Sequence, residues 1–269
     1  MKMLNGQELA GFIKERQAHQ VRSLQHSHKI TPKLVIIRTN SDPIVDSYMK
    51  LKTKYGKEVG VHVEVVQVEQ AEAIKTIKKI NKDPEVHGVI VQIPLPDPAQ
   101  TTEVLNSVAP DKDVDGLGEK AQFDPATPVA INWLLAGYNV NLMSKNIVII
   151  GNGRLVGKPL ARIWKESGLD VKVLDKKSKD FNATVKEADV IVCATGVPGL
   201  ITKDLVKDRM VIVDAGVATD NNGLVGDVAP EVRELSDITI TPEKGGVGPL
   251  TVSALFENVL LSARRISEK

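Results

Sequence analysis

Short apolar runs alternate with amphipathic stretches along most of the chain. KLVIIR at 33–38, VHVEVVQV at 61–68 and VHGVIVQ at 86–92 read as strands. Residues 7–27, 44–59, 72–83 and 101–109 read as helices. Strands that recur after each helix pair in parallel, and the helices then cover both faces of the sheet. The rhythm pauses at 111–128, DKDVDGLGEKAQFDPATP, which is polar and carries Gly and Pro. After a helix over 128–137 it restarts at KNIVIIGNG, 145–153, with strands at 171–174, 190–195 and 210–216. The tail, 251–267, has the period of an amphipathic helix. The sequence therefore predicts two α/β domains, with a boundary near residue 127.

With 269 residues, 42% of them hydrophobic, the chain can bury a core in one large domain or two ordinary ones. A net charge of +1 gives no general reason to expect nucleic acid or an anionic membrane as partner. The single cysteine, Cys193, rules out an internal disulfide and makes the cytoplasm the simplest compartment. The opening MKMLNGQELAGFIKERQ is charged and amphipathic, unlike a signal peptide. No apolar run approaches the roughly 20 residues of a membrane helix. His26 and His28 lack a third ligand at a useful spacing, so no metal is expected.

SYMKLKTKYGKEVG, 47–60, sets four lysines around two tyrosines. At roughly 100° per residue, Val45, Tyr48, Leu51, Tyr55 and Val59 share one apolar arc. Lys50, Lys54 and Lys57 oppose it, whereas Lys52 lies inside the arc, one turn after Tyr48. An ammonium there is costly unless it is paired or faces a pocket. Burial also lowers a lysine's pKa, which makes it usable as a base. The alternative is that the side chain bends back to water. A lysine-rich helix that binds RNA or a partner would bring a basic surplus and exposed aromatics, and 3% aromatic content speaks against it.

NIVIIGNGRLVGKPLARIW places Gly151, Gly153 and Gly157 after an apolar strand and before a helix, the context of a Rossmann-type dinucleotide site. The spacing is GxGxxxG rather than GxGxxG, so a tight strand–helix turn that binds nothing is the competing reading. Asp175 ends the next strand, where an acid binds the ribose 2′-hydroxyl of NAD and repels the 2′-phosphate of NADP. Arg154, Lys176 and Lys177 are cations that favour the phosphate. ATGVPG at 194–199 and DAGV at 214–217 end further strands where a doubly wound sheet lines its crevice, and KGGVGPLT at 244–251 reads as a flexible turn before the last helix.

YMKLK at 48–52, VQIPLP at 91–96, APDKDVDG at 109–116, VGKP at 156–159, VGDV at 225–228 and GGVGPLT at 245–251 occur in one order. With these motifs the chain resembles the bifunctional methylenetetrahydrofolate dehydrogenase/cyclohydrolase family over nearly its whole length. The resemblance implies NADP-dependent oxidation of methylenetetrahydrofolate to methenyltetrahydrofolate, and its hydrolysis to 10-formyltetrahydrofolate in one-carbon metabolism. It implies a folate-binding domain, 1–127, completed by the helix 251–269. A Rossmann domain, 128–250, would bind NADP, with a cleft between the two. It implies that Lys52 is the catalytic residue, oriented by Gln92, that Tyr48 lies against the folate, and that Asp115 holds the pterin. Pro94, Gly248 and Pro249 would also meet substrate. Gly151, Gly153, Arg154, Val156, Gly157, Asp175, Lys176, Lys177, Thr195, Gly196, Gly216 and Val217 would meet the cofactor. A homodimer is implied as well.

Several positions depart from the family pattern. Val45 stands where Ser is usual, Ala126 where Cys is usual, and Gly153 where Ser is common. The loop after DVDG is short, Lys244 replaces a proline, and Asp175 is unusual for an NADP enzyme, so NAD stays possible. YxxxK is also the catalytic pair of short-chain dehydrogenases, but there it follows the glycine turn. A shikimate-dehydrogenase-like enzyme shares the domain order and is the alternative enzyme.

Overall fold

The chain begins β1 (Lys2–Met3), α1 (Gly6–His28), β2 (Lys33–Arg38), α2 (Pro43–Val59), β3 (His62–Gln67), α3 (Gln70–Ile80), β4 (Gly88–Val91), α4 (Thr101–Asn106) and α5 (Ala126–Gly137). It continues β5 (Ile147–Ile150), α6 (Gly157–Glu166), β6 (Val171–Leu174), α7 (Phe181–Glu187), β7 (Val190–Cys193), β8 (Val211–Asp214), β9 (Ala218–Asp220), β10 (Gly223–Val225), β11 (Thr239–Ile240) and α8 (Val247–Ser267). The structure is a computed structural model that describes residues 1–40, 43–175, 177–220 and 223–267. Contacts divide the chain into two units, and the divisions fall inside α1, at the start of α5 and near the start of α8.

One unit comprises Gly11–Ala126 and Val252–Lys269. Its sheet is parallel, in the order β3-β2-β4, with Ile36 opposite both Val65 and Ile90. Leu34, Val35, Ile36 and Ile37 are all buried, because the central strand of a covered parallel sheet has no solvent face. The edge strand β3 alternates irregularly and stays mostly exposed. Ala73 and Ile77 of α3 pack on Val35, Ile37, Val89 and Val91. From α8, Phe256 meets the Tyr55 ring at 4.9 Å, and the Asn258 amide donates to the carbonyls of Val114 and Asp124.

The other unit comprises Met1–Ala10 and Thr127–Thr251. Its six-stranded parallel sheet runs β1-β11-β8-β7-β5-β6, a doubly wound order. The four residues of β5 and the four of β7 are buried. The boundary predicted from sequence kept 1–127 together, whereas the first ten residues lie with this sheet. Leu4 is fully buried, and the amides of Lys2 and Leu4 donate to Ile238 and Ile240 at 2.8 and 2.9 Å. A two-residue strand carries no periodicity, so β1 leaves no signal in the sequence; β9, β10, β11 and the short α7 are missed for the same reason. A second correction concerns α8, which starts at Val247 rather than at Thr251. Gly248 and Pro249 therefore stand in its first turn, where a proline's missing N–H has no helical partner to lose.

Candidate active site and dinucleotide crevice

Pro43 opens α2, Asp46 lies in its first turn and Lys57 in its last, each sign suited to the helix dipole. Gly60, at φ 86°, follows the C-terminus. The buried side of α2 is set by Met49, Gly56 and Val59. A Cβ on Gly56 would lie 2.3 Å from Val63 Cγ2 and 3.2 Å from Phe256 Cε1, so the helix sits down along that line. Leu51, assigned to the apolar arc from sequence, is 54% exposed, because this close approach rotates the buried face toward Met49 and Lys52. Tyr48 is partly exposed, and burial raises its hydroxyl pKa. The side chain of Val45 lies outside what the structure describes.

Lys52 is half-buried and donates from Nζ to Gln92 Oε1 at 3.1 Å. Gln92 is fixed at both ends: its amide N–H donates to Ile37 O at 2.9 Å, and its Nε2 to Ile93 O at 3.1 Å. With the NH₂ so used, the carbonyl oxygen faces the lysine. Pro94 follows a cis peptide, and its carbonyl accepts from Asn40 Nδ2 at 2.8 Å. Burial lowers the Lys52 pKa, and the charge of Asp115 opposes that shift. Burial likewise raises the Asp115 pKa against the attraction of Lys52. For each group desolvation outweighs the partner, so the pair is biased toward its neutral forms.

Asp115 does not do the turn-capping work that an aspartate in DVDG could do. That work falls to Asp113, which accepts from the amides of Gly116 at 3.0 Å and Gly118 at 2.7 Å. Gly116 is at φ 69°, and a Cβ there would lie 2.6 Å from Phe123 O. Lys52, Gln92 and Asp115 thus converge within one unit, with Tyr48 one turn away on α2. Gly248 and Pro249 belong to the other unit.

That unit carries the glycine turn. Gly151, at φ 105°, ends β5. A Cβ on Gly157 would lie 1.8 Å from Gly151 O, so only glycine lets α6 start this close to the strand. Gly153 has no neighbour within 4 Å of such a Cβ. Val156 precedes the first residue of α6, and the Lys158 amide donates to Gly153 O at 3.1 Å. A backbone cradle at a helix N-terminus fits a pyrophosphate. Arg154 is exposed on this turn. At the end of β6, Asp175 Oδ1 accepts from the Lys177 amide at 2.8 Å and from the Ser178 hydroxyl at 3.2 Å. Lys176 lies outside the described residues.

Thr195 and Gly196 follow β7, and Gly216 and Val217 follow β8, its parallel neighbour. Both loops rest on a buried acid, Asp227, that sequence reasoning leaves without a role. Asp227 Oδ2 accepts from Thr195 N at 2.6 Å and from Thr195 Oγ1 at 2.8 Å. Its position in VGDV, after Gly226 and beyond a short hairpin, was the one available signal.

Comparison with known proteins agrees across the chain. A family model described as tetrahydrofolate dehydrogenase/cyclohydrolase, catalytic domain, matches residues 4–115. Its companion, the NAD(P)-binding domain, matches residues 125–267. The bifunctional protein FolD of Macrococcus caseolyticus is 36% identical, with 99% of each chain covered. The crystal structure of the bifunctional FolD methylenetetrahydrofolate dehydrogenase/cyclohydrolase of Campylobacter jejuni is 35% identical, superposes with a TM-score of 0.93, and is covered over 98% of this chain and 99% of that one. A Trypanosoma brucei dehydrogenase-cyclohydrolase solved with NADP and an inhibitor is 27% identical, with a TM-score of 0.91 and coverage of 98% and 97%.

Proposed function

The chain belongs to the tetrahydrofolate dehydrogenase/cyclohydrolase family, and on that premise we infer that it performs both reactions: NADP-dependent oxidation of methylenetetrahydrofolate to methenyltetrahydrofolate, then hydrolysis to 10-formyltetrahydrofolate. The observation that carries the hydrolytic half is the Lys52–Gln92 hydrogen bond beside Asp115. Bound NADP supplies the hydride acceptor. The protein's share of that step is positioning, with Gly151, Gly153 and Gly157 cradling the pyrophosphate and the loops at Thr195–Gly196 and Gly216–Val217 flanking the nicotinamide half. In hydrolysis, water attacks the methenyl carbon while Lys52, kept partly neutral by burial, takes its proton; the bond from that carbon to N5 then breaks as the adduct's hydroxyl loses its proton to become the formyl oxygen, and N5 leaves as the protonated amine. A carboxylate base would pair with the cationic substrate and hold it. Gln92 orients the amine without adding charge. Asp115 hydrogen-bonds the pterin ring, and Tyr48, Pro94, Gly248 and Pro249 complete the folate contacts.

NADP is favoured over NAD by Arg154, Lys176 and Lys177, and by the turn at Asp175. One oxygen of that carboxylate is already spent on its own loop, which leaves less of it for a ribose hydroxyl. The protein acts in the cytoplasm as a homodimer on this reading, which analytical ultracentrifugation tests. No described helix is long and apolar enough to cross a membrane. The deciding experiment is a spectrophotometric assay with methylenetetrahydrofolate and NADP or NAD. The expected result is methenyltetrahydrofolate formation with a modest NADP preference, followed by its enzyme-dependent loss. No turnover with either cofactor overturns the dehydrogenase reading, and a tenfold preference for NAD would make Asp175 a ribose ligand.

A further inference from the structure

Asp227 is completely buried, and its surroundings tie three strand ends together. Its own amide donates to Asp214 Oδ1 at 3.0 Å, and its carbonyl accepts from Ile201 N at 3.0 Å. Its Oδ2 takes both the amide and the hydroxyl of Thr195. The Thr195 oxygen, its proton committed to Asp227, accepts in turn from Val197 N at 3.1 Å. On the other side, Oδ1 lies 2.0 Å from where a Cβ on Gly216 would stand. Asp227 therefore orders the loop after β7 by hydrogen bonds and underlies the loop after β8 by direct packing. The two loops also touch, since a Cβ on Gly196 would be 3.3 Å from Val217 O. Asp214, at the end of β8, completes the platform: it accepts from Gly216 N at 3.2 Å and pairs with Arg233 at 3.2 Å.

The loops present two exposed apolar side chains, Val197 at 38% and Val217 at 55% exposure. In a doubly wound sheet the first mononucleotide half, here β5 and β6, takes the adenosine, and the second half, here β7 and β8, takes the nicotinamide. Resting on the dehydrogenase reading above, we propose that Asp227 is a positioning residue for the nicotinamide half of the cofactor, holding the Thr195 and Gly216 loops so that Val197 and Val217 form the face against which the ring is aligned for hydride transfer. Burial disfavours a charged Asp227 and raises its pKa, the two Thr195 bonds favour the charge, and the nearby Asp214 disfavours it further. The acid stands at a costly position, in keeping with a specific task.

The test compares NADP with adenosine 2′,5′-bisphosphate, which carries only the adenine half. With Asp227→Ala the dissociation constant for NADP should rise at least about tenfold and dehydrogenase kcat should fall by about 10–100-fold, since small misplacements of a reacting group have effects of that size. The fragment's affinity and the cofactor-independent hydrolysis of methenyltetrahydrofolate should stay within about twofold. Asp227→Asn keeps an oxygen for both Thr195 donors and should show the same pattern at about threefold. It decides the matter if the alanine variant does not fold. Fragment and NADP weakening together, or neither moving, would overturn the assignment. Affinity of the unsubstituted protein for NADP tests the cofactor reading separately. Were NAD preferred, NAD and adenosine diphosphate serve the same comparison.

Discussion

A lysine taken out of water loses hydration that one partner charge does not fully restore, and Lys52 is such a case. Its folded pKa lies below the ordinary 10.5 because burial outweighs the pull of Asp115. Between the lowered value and 10.5 the unfolded chain binds more protons than the folded one. Stability contributed at this site therefore rises with pH across that window, and the penalty is fully present below it. For catalysis the same shift puts neutral amine within reach, so enzyme-dependent hydrolysis should rise with pH along a limb centred below 10.5. Asp115→Asn removes the charge that raises the Lys52 pKa and should move the limb lower still. A limb that stays in place in pH profiles of kcat/KM would show that the two groups do not titrate as a pair. Lys52→Met should cut hydrolysis by about 10²–10⁴, whereas the exposed Lys50→Met should change little. The burial of Lys52 was half legible: one charge inside an apolar arc breaks a helical pattern, but the same pattern also lets the side chain bend back to water. Leu51 was misplaced because the pattern cannot see Gly56 pulling α2 toward Val63. The division of labour between Asp113 and Asp115 was illegible, since both fit the same turn until their amide partners are known.

At the scale of elements, the glycine turn shows how unequal three glycines in one motif can be. Gly157 holds α6 against the end of β5, where an added methyl would meet a backbone carbonyl that cannot swing aside. Gly157→Ala should cost about 1–3 kcal/mol or more, the usual penalty of overpacking, despite alanine's better helix propensity. Gly153→Ala opens onto free space and should change stability by less than about 0.5 kcal/mol. Thermal melts of both variants check this, and equal losses would mean that the strand–helix approach is not the constraint. The strands β2, β4, β5 and β7 were legible because buried parallel strands are continuous apolar runs bounded by turns. The start of α8 was misread because Gly-Gly and Pro suggest a loop, although proline is at home in a helix's first turn.

For the whole molecule, neither unit is one continuous piece of chain. Residues 11–126 are joined by 252–269, and 127–251 by the first ten. The contribution of α8 to the smaller sheet's unit is large: Phe256, Val259, Leu260 and Ala263 are at most 1% exposed. The Ser262 hydroxyl donates to Asp111 O at 3.1 Å, and Gln17 Nε2 to Ser253 O at 2.8 Å. Losing a single buried Phe costs about 3–5 kcal/mol, and a domain has only about 5–15 kcal/mol in total. A fragment of residues 1–126 should therefore lack a cooperative thermal transition. The remedy follows from the crossing points. Thr127 and Thr251 lie side by side, their hydroxyl oxygens 3.4 Å apart, so Ala126 and Val252 can be connected by a short glycine linker with 127–251 removed. That shortened chain, 11–126 linked to 252–269, should melt cooperatively and keep Lys52 against Gln92, because every hydrogen bond named for that unit is retained. A cooperative melt of 1–126 alone, or its absence in the linked chain, would show that α8 is not what completes the core.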